Sequence, residues 1–98
     1  IPQDVMNVVA RAAEEALRNS VRHAGVGARR WAFVWVAVGE VRVEVGDDGI
    51  GIDPVMIDPQ RLGVRGSILA RMRALPGGAG TVVSAPGDGT VVVLTWTG

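Results

Sequence analysis

The sequence predicts an α/β fold, a two-layer sandwich in which a mixed, mostly antiparallel sheet of about four or five strands carries helices on one face. Three observations predict it: an amphipathic helical pattern opens the chain, alternating apolar segments joined by glycine-bearing turns follow, and a second helical pattern separates two pairs of such segments. With 98 residues, 48% of them hydrophobic, residues 1–98 are expected to form one domain with a core of its own.

The first predicted element is a helix that runs from Pro2 or Asp4 to His23 and is ended by Gly25. Apolar and small residues recur along it every three or four positions and form one continuous stripe: Val5, Val8, Val9, Ala12, Ala13, Ala16, Leu17, Ser20, Val21 and Ala24. Glu15 and Asn19 flank this stripe, at the edge of the predicted core. Polar groups at such an edge need partners, so both are candidate site residues.

Two strands are predicted next. The segment 31–38 is apolar on both faces, which is typical of a strand covered at least in part on both sides. One of its faces carries three aromatic residues, Trp31, Phe33 and Trp35. Gly39-Glu40 is interpreted as the two-residue turn of a tight hairpin. The returning strand alternates, and one of its faces carries Val41, Val43 and Val45.

The same alternation places Asp47 on the valine face, toward the core. A carboxylate there is costly unless a donor forms a hydrogen bond to it. The protein could supply that donor, or a ligand could. Gly49 and Gly51 follow directly, and glycines let the backbone turn sharply and let a flat ligand approach closely. The sequence therefore favours a ligand at Asp47.

The second half of the chain predicts a flap, a helix and a hairpin. Residues 53–62 have the composition of a loop and are interpreted as a mobile flap. Residues 63–67 are expected to open the second helix, which ends at Pro76 and points four residues inward: Ile68, Leu69, Met72 and Leu75. Unpaired N–H groups at such a helix opening favour phosphate binding. Two alternating segments, residues 80–85 and 90–96, predict a closing hairpin.

The composition excludes several kinds of chemistry. The chain has no lysine, and hence no Gly-Lys phosphate loop and no Schiff base. It has no cysteine, and its one histidine, His23, is a poor basis for a zinc site. A net charge of zero argues against partners such as nucleic acid and against direct membrane contact. The longest apolar run, residues 31–39, is too short to cross a bilayer.

Four motifs in order resemble those of the GHKL ATPase superfamily. They are residues 15–24 of the first helix, the Asp-Asp-Gly-Ile-Gly turn at 47–51, the Gly-Val-Arg-Gly segment at 63–66 and the terminal Gly-Thr at 89–90. In order and spacing they are most similar to the ATP-binding catalytic domain of bacterial sensor histidine kinases, specifically the short-lid subfamily that includes nitrate and nitrite sensors. The resemblance covers nearly the whole chain and implies the Bergerat type of two-layer fold.

The resemblance implies roles for the residues around the nucleotide base and the metal. Asp47 would accept the exocyclic amine of adenine, and Gly49 and Gly51 would admit the adenine edge and the sugar. Asn19 would hold the Mg²⁺ ion that bridges the phosphates, since a side-chain oxygen suits a hard cation. Glu15 and Asn19 are the candidate catalytic residues. Glu15 would orient reacting groups more than it would activate water.

Further roles concern the phosphates and the lid. Gly63 and Gly66 would present N–H groups to the phosphates. Val64 and Arg65 between them are also expected to bind the nucleotide, and Arg65 would contact the phosphates or the lid. Thr90 would close the adenine pocket. His23 matches the end of the first motif and would contact phosphate or lid; it lacks the acidic neighbour of a phosphorylated histidine, so the phosphoacceptor is expected on another domain.

For function, the resemblance implies a cytoplasmic kinase domain, which could be part of a membrane-anchored sensor. It would bind Mg-ATP and donate the γ-phosphate to a histidine on a dimerisation domain of the same or a partner chain, with a response regulator downstream in two-component signal transduction. The alternative is a nucleotide-gated interaction module, which changes shape with ATP or ADP without phosphoryl transfer, or a serine kinase similar to the anti-sigma-factor serine kinases.

Overall fold

The chain folds as an antiparallel sheet with helices on one face. The structure, a computed structural model, describes residues 1–51 and 59–98, and the side chains of all of these except 59–65. Its elements are α1 (Gln3–His23), β1 (Arg30–Ala37), β2 (Glu40–Asp47), α2 (Pro59–Ala74), β3 (Gly78–Ser84) and β4 (Thr90–Thr97). Within these residues four strands form one sheet in the order β1-β2-β4-β3, every pair antiparallel. The predicted α/β two-layer fold is confirmed.

The core lies between the helices and three of the strands. α1 packs on β2 and β4, and α2 packs on β3 and on α1. Four elements supply the buried apolar residues of the core: Val5, Val9, Ala12 and Ala16 of α1, Val41, Val43 and Val45 of β2, Ile68 and Met72 of α2 with Leu75 just beyond it, and Val92, Leu94 and Trp96 of β4. Val82 of β3 is partly buried and packs against them. Neither described helix has the length and apolar character that a membrane span requires.

The register of the sheet sets the positions of the site residues. The β1–β2 loop consists of Val38 and Gly39, one residue earlier than predicted, because Ala37 already pairs with Glu40. Gly39 has a φ of 69°, which glycine adopts at little cost, so it occupies the loop and Glu40 begins β2. In this register Asp47 pairs with Arg30 of β1 on one side and with Thr90 of β4 on the other.

The expectation that the first strand is covered on both sides is wrong. β1 is an edge strand, and both helices lie over the other three strands. Its side chains are consequently exposed on both faces: Phe33 (50%) and Trp35 (49%) on one, Val34 (62%) and Val36 (60%) on the other. An unbroken apolar pattern therefore marked an edge strand here, where a buried strand is the usual interpretation.

The outer face of the sheet holds β1 onto β2 through its aromatic residues. The indole ring of Trp31 lies over Gly46, where any Cβ would collide with the ring, and its Nε1–H donates to Glu44 Oε2 at 3.0 Å. Further along, the guanidinium of Arg42 lies 5.6 Å from the centre of the Trp35 ring. The Trp31 contact fixes the beginning of β1, and hence Arg30, against the end of β2 that carries Asp47.

The second helix begins earlier than predicted. α2 starts at Pro59, so residues 59–62, interpreted as part of a flap, are helical, and Gly63 and Gly66 lie inside the helix and do not open it. Proline is well suited to the first helical position because its φ is already helical and its missing N–H would be unpaired there. The rest of the predicted flap, residues 53–58, lies outside the described residues.

Candidate functional site

Asp47 lies at the end of β2, on the face that the helices cover, and is 3% exposed. Its Oδ2 accepts a hydrogen bond from Ser20 Oγ at 2.7 Å, and its Oδ1 accepts one from the Gly49 N–H at 3.0 Å. The protein thus supplies two donors for this buried carboxylate, where the sequence favoured a ligand. A carboxylate has about four lone-pair positions, so acceptor capacity remains after these two bonds.

Ser20 links α1 to both strands of the hairpin, because it bonds to Asp47 of β2 and to Arg30 of β1. The hydroxyl accepts from Arg30 Nε at 3.0 Å while Arg30 Nη2 donates to the Ser20 carbonyl at 3.2 Å. Ser20 is buried on α1, and Arg30 stands opposite Asp47 in the β1–β2 pairing. These contacts tie the last turns of α1 to the ends of two strands that meet at Asp47.

The turn after Asp47 is clamped between two other loops. Gly49 packs so closely on the Ala24 carbonyl that a Cβ would collide with it, and the Ile50 N–H donates to that same carbonyl at 3.0 Å. On the other side the Gly87 N–H donates to the Ile50 carbonyl at 2.8 Å. The protein's own packing therefore explains why position 49 is a glycine. The role of Gly49 and Gly51 in admitting adenine stays a prediction.

Thr90 begins β4 directly beside Asp47 and is buried. Its Oγ1 lies 2.8 Å from Ser84 Oγ, which donates to the Gly89 carbonyl at 2.9 Å. Because the Ser84 proton is directed to Gly89, the hydroxyl of Thr90 is the donor to Ser84. The structure thus brings Asp47 and Thr90 together, as the two motifs that contain them require.

Glu15, Asn19 and His23 follow one another at intervals of four along α1 and so share one side of the helix. Asn19 precedes Ser20, and its Oδ1 is buried with no hydrogen-bond partner in the part of the chain that the structure describes. Glu15 Oε1 forms an ion pair with Arg71 Nη1 at 2.7 Å, and both side chains are partly exposed. His23 is half-buried at the end of the helix.

The Asn19 side chain fits a magnesium ion better than a softer metal. Its Oδ1, which has no hydrogen-bond partner among the described residues, is an oxygen, and Mg²⁺ is a hard cation that prefers oxygen ligands. Among residues 1–51 and 59–98 no three His, Cys, Asp or Glu side chains form a group that could hold a metal.

The four residues of the third motif lie on α2. The side chains of Val64 and Arg65 are outside the described set, and Gly63 and Gly66 are within the helix. Gly66 is exposed, and a Cβ there would have no described atom within 4 Å. Packing against the described atoms thus gives no reason for glycine at position 66. The described contacts join α2 to the other site residues through Arg71 and Glu15.

A family model supplies the decisive comparison. The model of histidine kinase-, DNA gyrase B- and HSP90-like ATPases matches residues 5–97. The chain belongs to this family. Membership confirms the GHKL resemblance and implies that the domain binds ATP. No curated protein matches the sequence.

Solved histidine kinases share the fold of this ATPase-family domain. The histidine kinase domain of the blue-light activated kinase from Erythrobacter litoralis is 24% identical with a TM-score of 0.71, over 99% of this chain and 46% of that one. A second structure of that kinase is 21% identical with a TM-score of 0.74, over 99% of this chain and 31% of that one. The mycobacterial sensor histidine kinase MprB is 20% identical with a TM-score of 0.64, over 94% of this chain and 71% of that one. This chain therefore spans less than half of each Erythrobacter chain.

The sequence did not predict three polar residues of this candidate site: Ser20, Arg30 and Arg71. Ser20 had a visible signal, since it is the one hydroxyl in the apolar stripe of α1. Arg30 was missed because the predicted loop at Gly39-Glu40 would pair Asp47 with Ala32, whereas the observed loop at Val38-Gly39 pairs it with Arg30. Arg71 had no such signal, because its contact with Glu15 depends on how α2 crosses α1.

Gly89→Ala should destabilise the domain more than Gly87→Ala. Both glycines have positive φ, 73° and 80°, so alanine at either costs roughly 1–2 kcal/mol of backbone strain. At Gly89 a Cβ would also collide with the Asp47 carbonyl, whereas at Gly87 it would have no described atom within 4 Å. We expect urea unfolding to show a loss for Gly89→Ala that is larger by about 2 kcal/mol or more. Equal losses would mean that the Gly89–Asp47 contact is not tight.

Proposed function

We propose that residues 1–98 form the ATP-binding catalytic domain of a sensor histidine kinase. It binds Mg-ATP and donates the γ-phosphate to a histidine on a dimerisation domain, in the same or a partner chain, from which the phosphate passes to a response regulator. One observation carries the proposal: the buried carboxylate of Asp47 accepts from Ser20, and the adjacent Asn19 has a buried Oδ1 with no described partner. A cytoplasmic location goes with it, since ATP is available there, whether or not a membrane anchor is attached.

The proposed adenine contact uses the free acceptor capacity of Asp47. Ser20 and Gly49 fill two positions of the carboxylate and hold it in one plane. The exocyclic amine of adenine is a donor and complements the remaining positions. Thr90 lies beside Asp47 and would close the pocket, and the turn of Gly49 and Gly51 would lie along the base and the sugar.

The proposed phosphate contacts lie further along α1 and on α2. Asn19 would hold Mg²⁺ through Oδ1; the ion, when bound, neutralises phosphate charge. His23, one turn on, would contact the phosphates. In a continuous helix the N–H groups of Gly63 and Gly66 are directed at carbonyls four residues earlier, so offering them to phosphate requires the start of α2 to open. Each glycine lowers the cost of that opening by about 1 kcal/mol. Val64 and Arg65 would move with them, bringing Arg65 toward phosphate.

In the transfer step, the bond between the γ-phosphorus and ADP breaks as a bond forms to an unprotonated ring nitrogen of the acceptor histidine. That nitrogen carries a lone pair and needs no base to remove a proton from it. Glu15 would accept the N–H of the other ring nitrogen and so orient the ring, the role expected of an orienting catalytic residue. The Glu15–Arg71 ion pair would have to open or share its oxygens at this point.

The same ion pair favours the second candidate, a nucleotide-gated interaction module. With Glu15 bonded to Arg71, α1 and α2 are joined beside the nucleotide, and a change in α2 on exchange of ATP for ADP would reach α1. A partner could recognise that change without phosphoryl transfer. A serine kinase similar to the anti-sigma-factor serine kinases would use the same pocket with a hydroxyl acceptor.

Asp47→Asn should weaken Mg-ATP binding by about a hundredfold or more, because the amide nitrogen presents a donor where adenine also presents one. Asp48→Asn is the matched control: Asp48 is exposed and its Oδ1 accepts from the Arg29 N–H at 2.6 Å, a bond that the amide oxygen retains. Calorimetric titration with ATP and Mg²⁺ measures both. Near wild-type affinity of Asp47→Asn would rule out the adenine assignment.

Transfer of label from γ-labelled ATP separates the two candidate functions. The kinase proposal expects label on the histidine of a supplied dimerisation domain and none on residues 1–98 alone, and loss of that label when the acceptor histidine is replaced. If the domain binds ATP tightly and no dimerisation domain encoded beside it is labelled, the gated module is favoured. Label stable to acid on a partner serine would indicate the serine kinase.

A further inference from the structure

Three polar side chains form a chain of hydrogen bonds behind the proposed adenine site. Arg30 Nε donates to Ser20 Oγ at 3.0 Å, and Ser20 Oγ donates to Asp47 Oδ2 at 2.7 Å. We call this chain the Asp47 relay. It joins β1, α1 and β2, and its inner members, Ser20 and Asp47, are 6% and 3% exposed.

The direction of each bond in the relay follows from the chemistry of the groups. A guanidinium donates only, and a hydroxyl has one proton and two lone pairs. Arg30 donates to one lone pair of the Ser20 hydroxyl and so restricts rotation of that hydroxyl. The Ser20 proton is therefore directed to the carboxylate of Asp47. Arg30 is itself held in place, since its Nη2 donates to the Ser20 carbonyl and its Nη1 to the Ala28 carbonyl.

A carboxylate only accepts hydrogen bonds, and the relay fixes the direction in which the free lone pairs of Asp47 point. Ser20 holds Oδ2 and the Gly49 N–H holds Oδ1, so the plane of the carboxylate is fixed from both sides. The remaining lone pairs can only accept. A purine with an amine at C6 donates there, whereas a purine with a carbonyl at C6 presents a second acceptor and gains nothing from Asp47.

From this geometry we infer that Ser20 and Arg30 are positioning residues that set the selectivity of the site for a 6-amino purine over a 6-oxo purine. The inference rests on the proposed nucleotide site and adds to it the residues behind the carboxylate. Ser20 directs the acceptor, and Arg30 directs the proton of Ser20. Neither residue needs to touch the nucleotide.

The relay predicts a specific pattern of affinities. Wild-type protein should bind ATP about a hundredfold or more tightly than inosine triphosphate, which has a carbonyl at C6. Ser20→Ala removes the donor to Oδ2 and frees the carboxylate to turn, so ATP affinity should fall about tenfold, the worth of one hydrogen bond to a charged group, while the affinity for inosine triphosphate stays unchanged. Ser20→Thr keeps the hydroxyl and should keep the preference. A merely structural role would lower both affinities together.

Calorimetric titration of each variant with ATP and with inosine triphosphate, both with Mg²⁺, tests the inference. Thr81→Val, which removes an exposed hydroxyl from β3, is the control and should match wild type. Arg30→Met removes the guanidinium that donates to Ser20 and should also reduce the preference for ATP over inosine triphosphate. Because Arg30 is exposed, this variant provides a test if Ser20→Ala does not fold.

The inference is overturned if folded Ser20→Ala or Arg30→Met keeps the wild-type preference, or loses affinity for both nucleotides equally. The proposed function fails separately: if wild-type protein binds neither nucleotide, or if Asp47→Asn binds ATP as wild type does, the site itself is wrong. A third outcome would rule out the role of the relay and support the proposed site: wild-type protein binds ATP, Asp47→Asn does not, and Ser20→Ala keeps the wild-type preference for ATP.

Discussion

The burial of the Asp47 carboxylate is the constraint on which the site depends. A charge that is 3% exposed persists only where hydrogen bonds replace the water it has lost. Those bonds come from α1 through Ser20 and from the following turn through Gly49. Three segments must therefore assemble together around this carboxylate: the end of α1, the hairpin β1–β2 and the turn at 49–51.

The neighbouring loops show how closely the backbone surrounds it. Gly49 packs on the Ala24 carbonyl, and Gly89 packs on the Asp47 carbonyl, so side chains are excluded on both sides of the turn. Both glycines belong to motifs that resemble those of the GHKL ATPases, and both are explained by the domain's own packing. Gly66 differs, because it lies exposed on α2 with open space around it among the described residues. The proposed opening of α2 toward phosphate would make use of a glycine there.

Much of this arrangement was predictable because it depends on local patterns. The period of α1 and the alternation of β2 predicted both elements and the inward direction of Asp47, and the order of the motifs predicted the family. The failures have physical causes. The apolar pattern of β1 could not reveal that the helices lie over β2, β4 and β3. The start of α2 was misplaced because Pro59, a turn former in isolation, is also a good first residue of a helix. Arg71 meets Glu15 only through the crossing of two helices.

The central claim is that Asp47, held by protein donors, is the acceptor for adenine. A crystal structure of the domain with Mg²⁺ and a non-hydrolysable ATP analogue tests it most directly. The claim predicts the exocyclic amine of adenine within hydrogen-bonding distance of an Asp47 oxygen, with the bonds from Ser20 Oγ and the Gly49 N–H retained. Adenine bound away from Asp47, or bound there only after the Ser20 bond has broken, would contradict it.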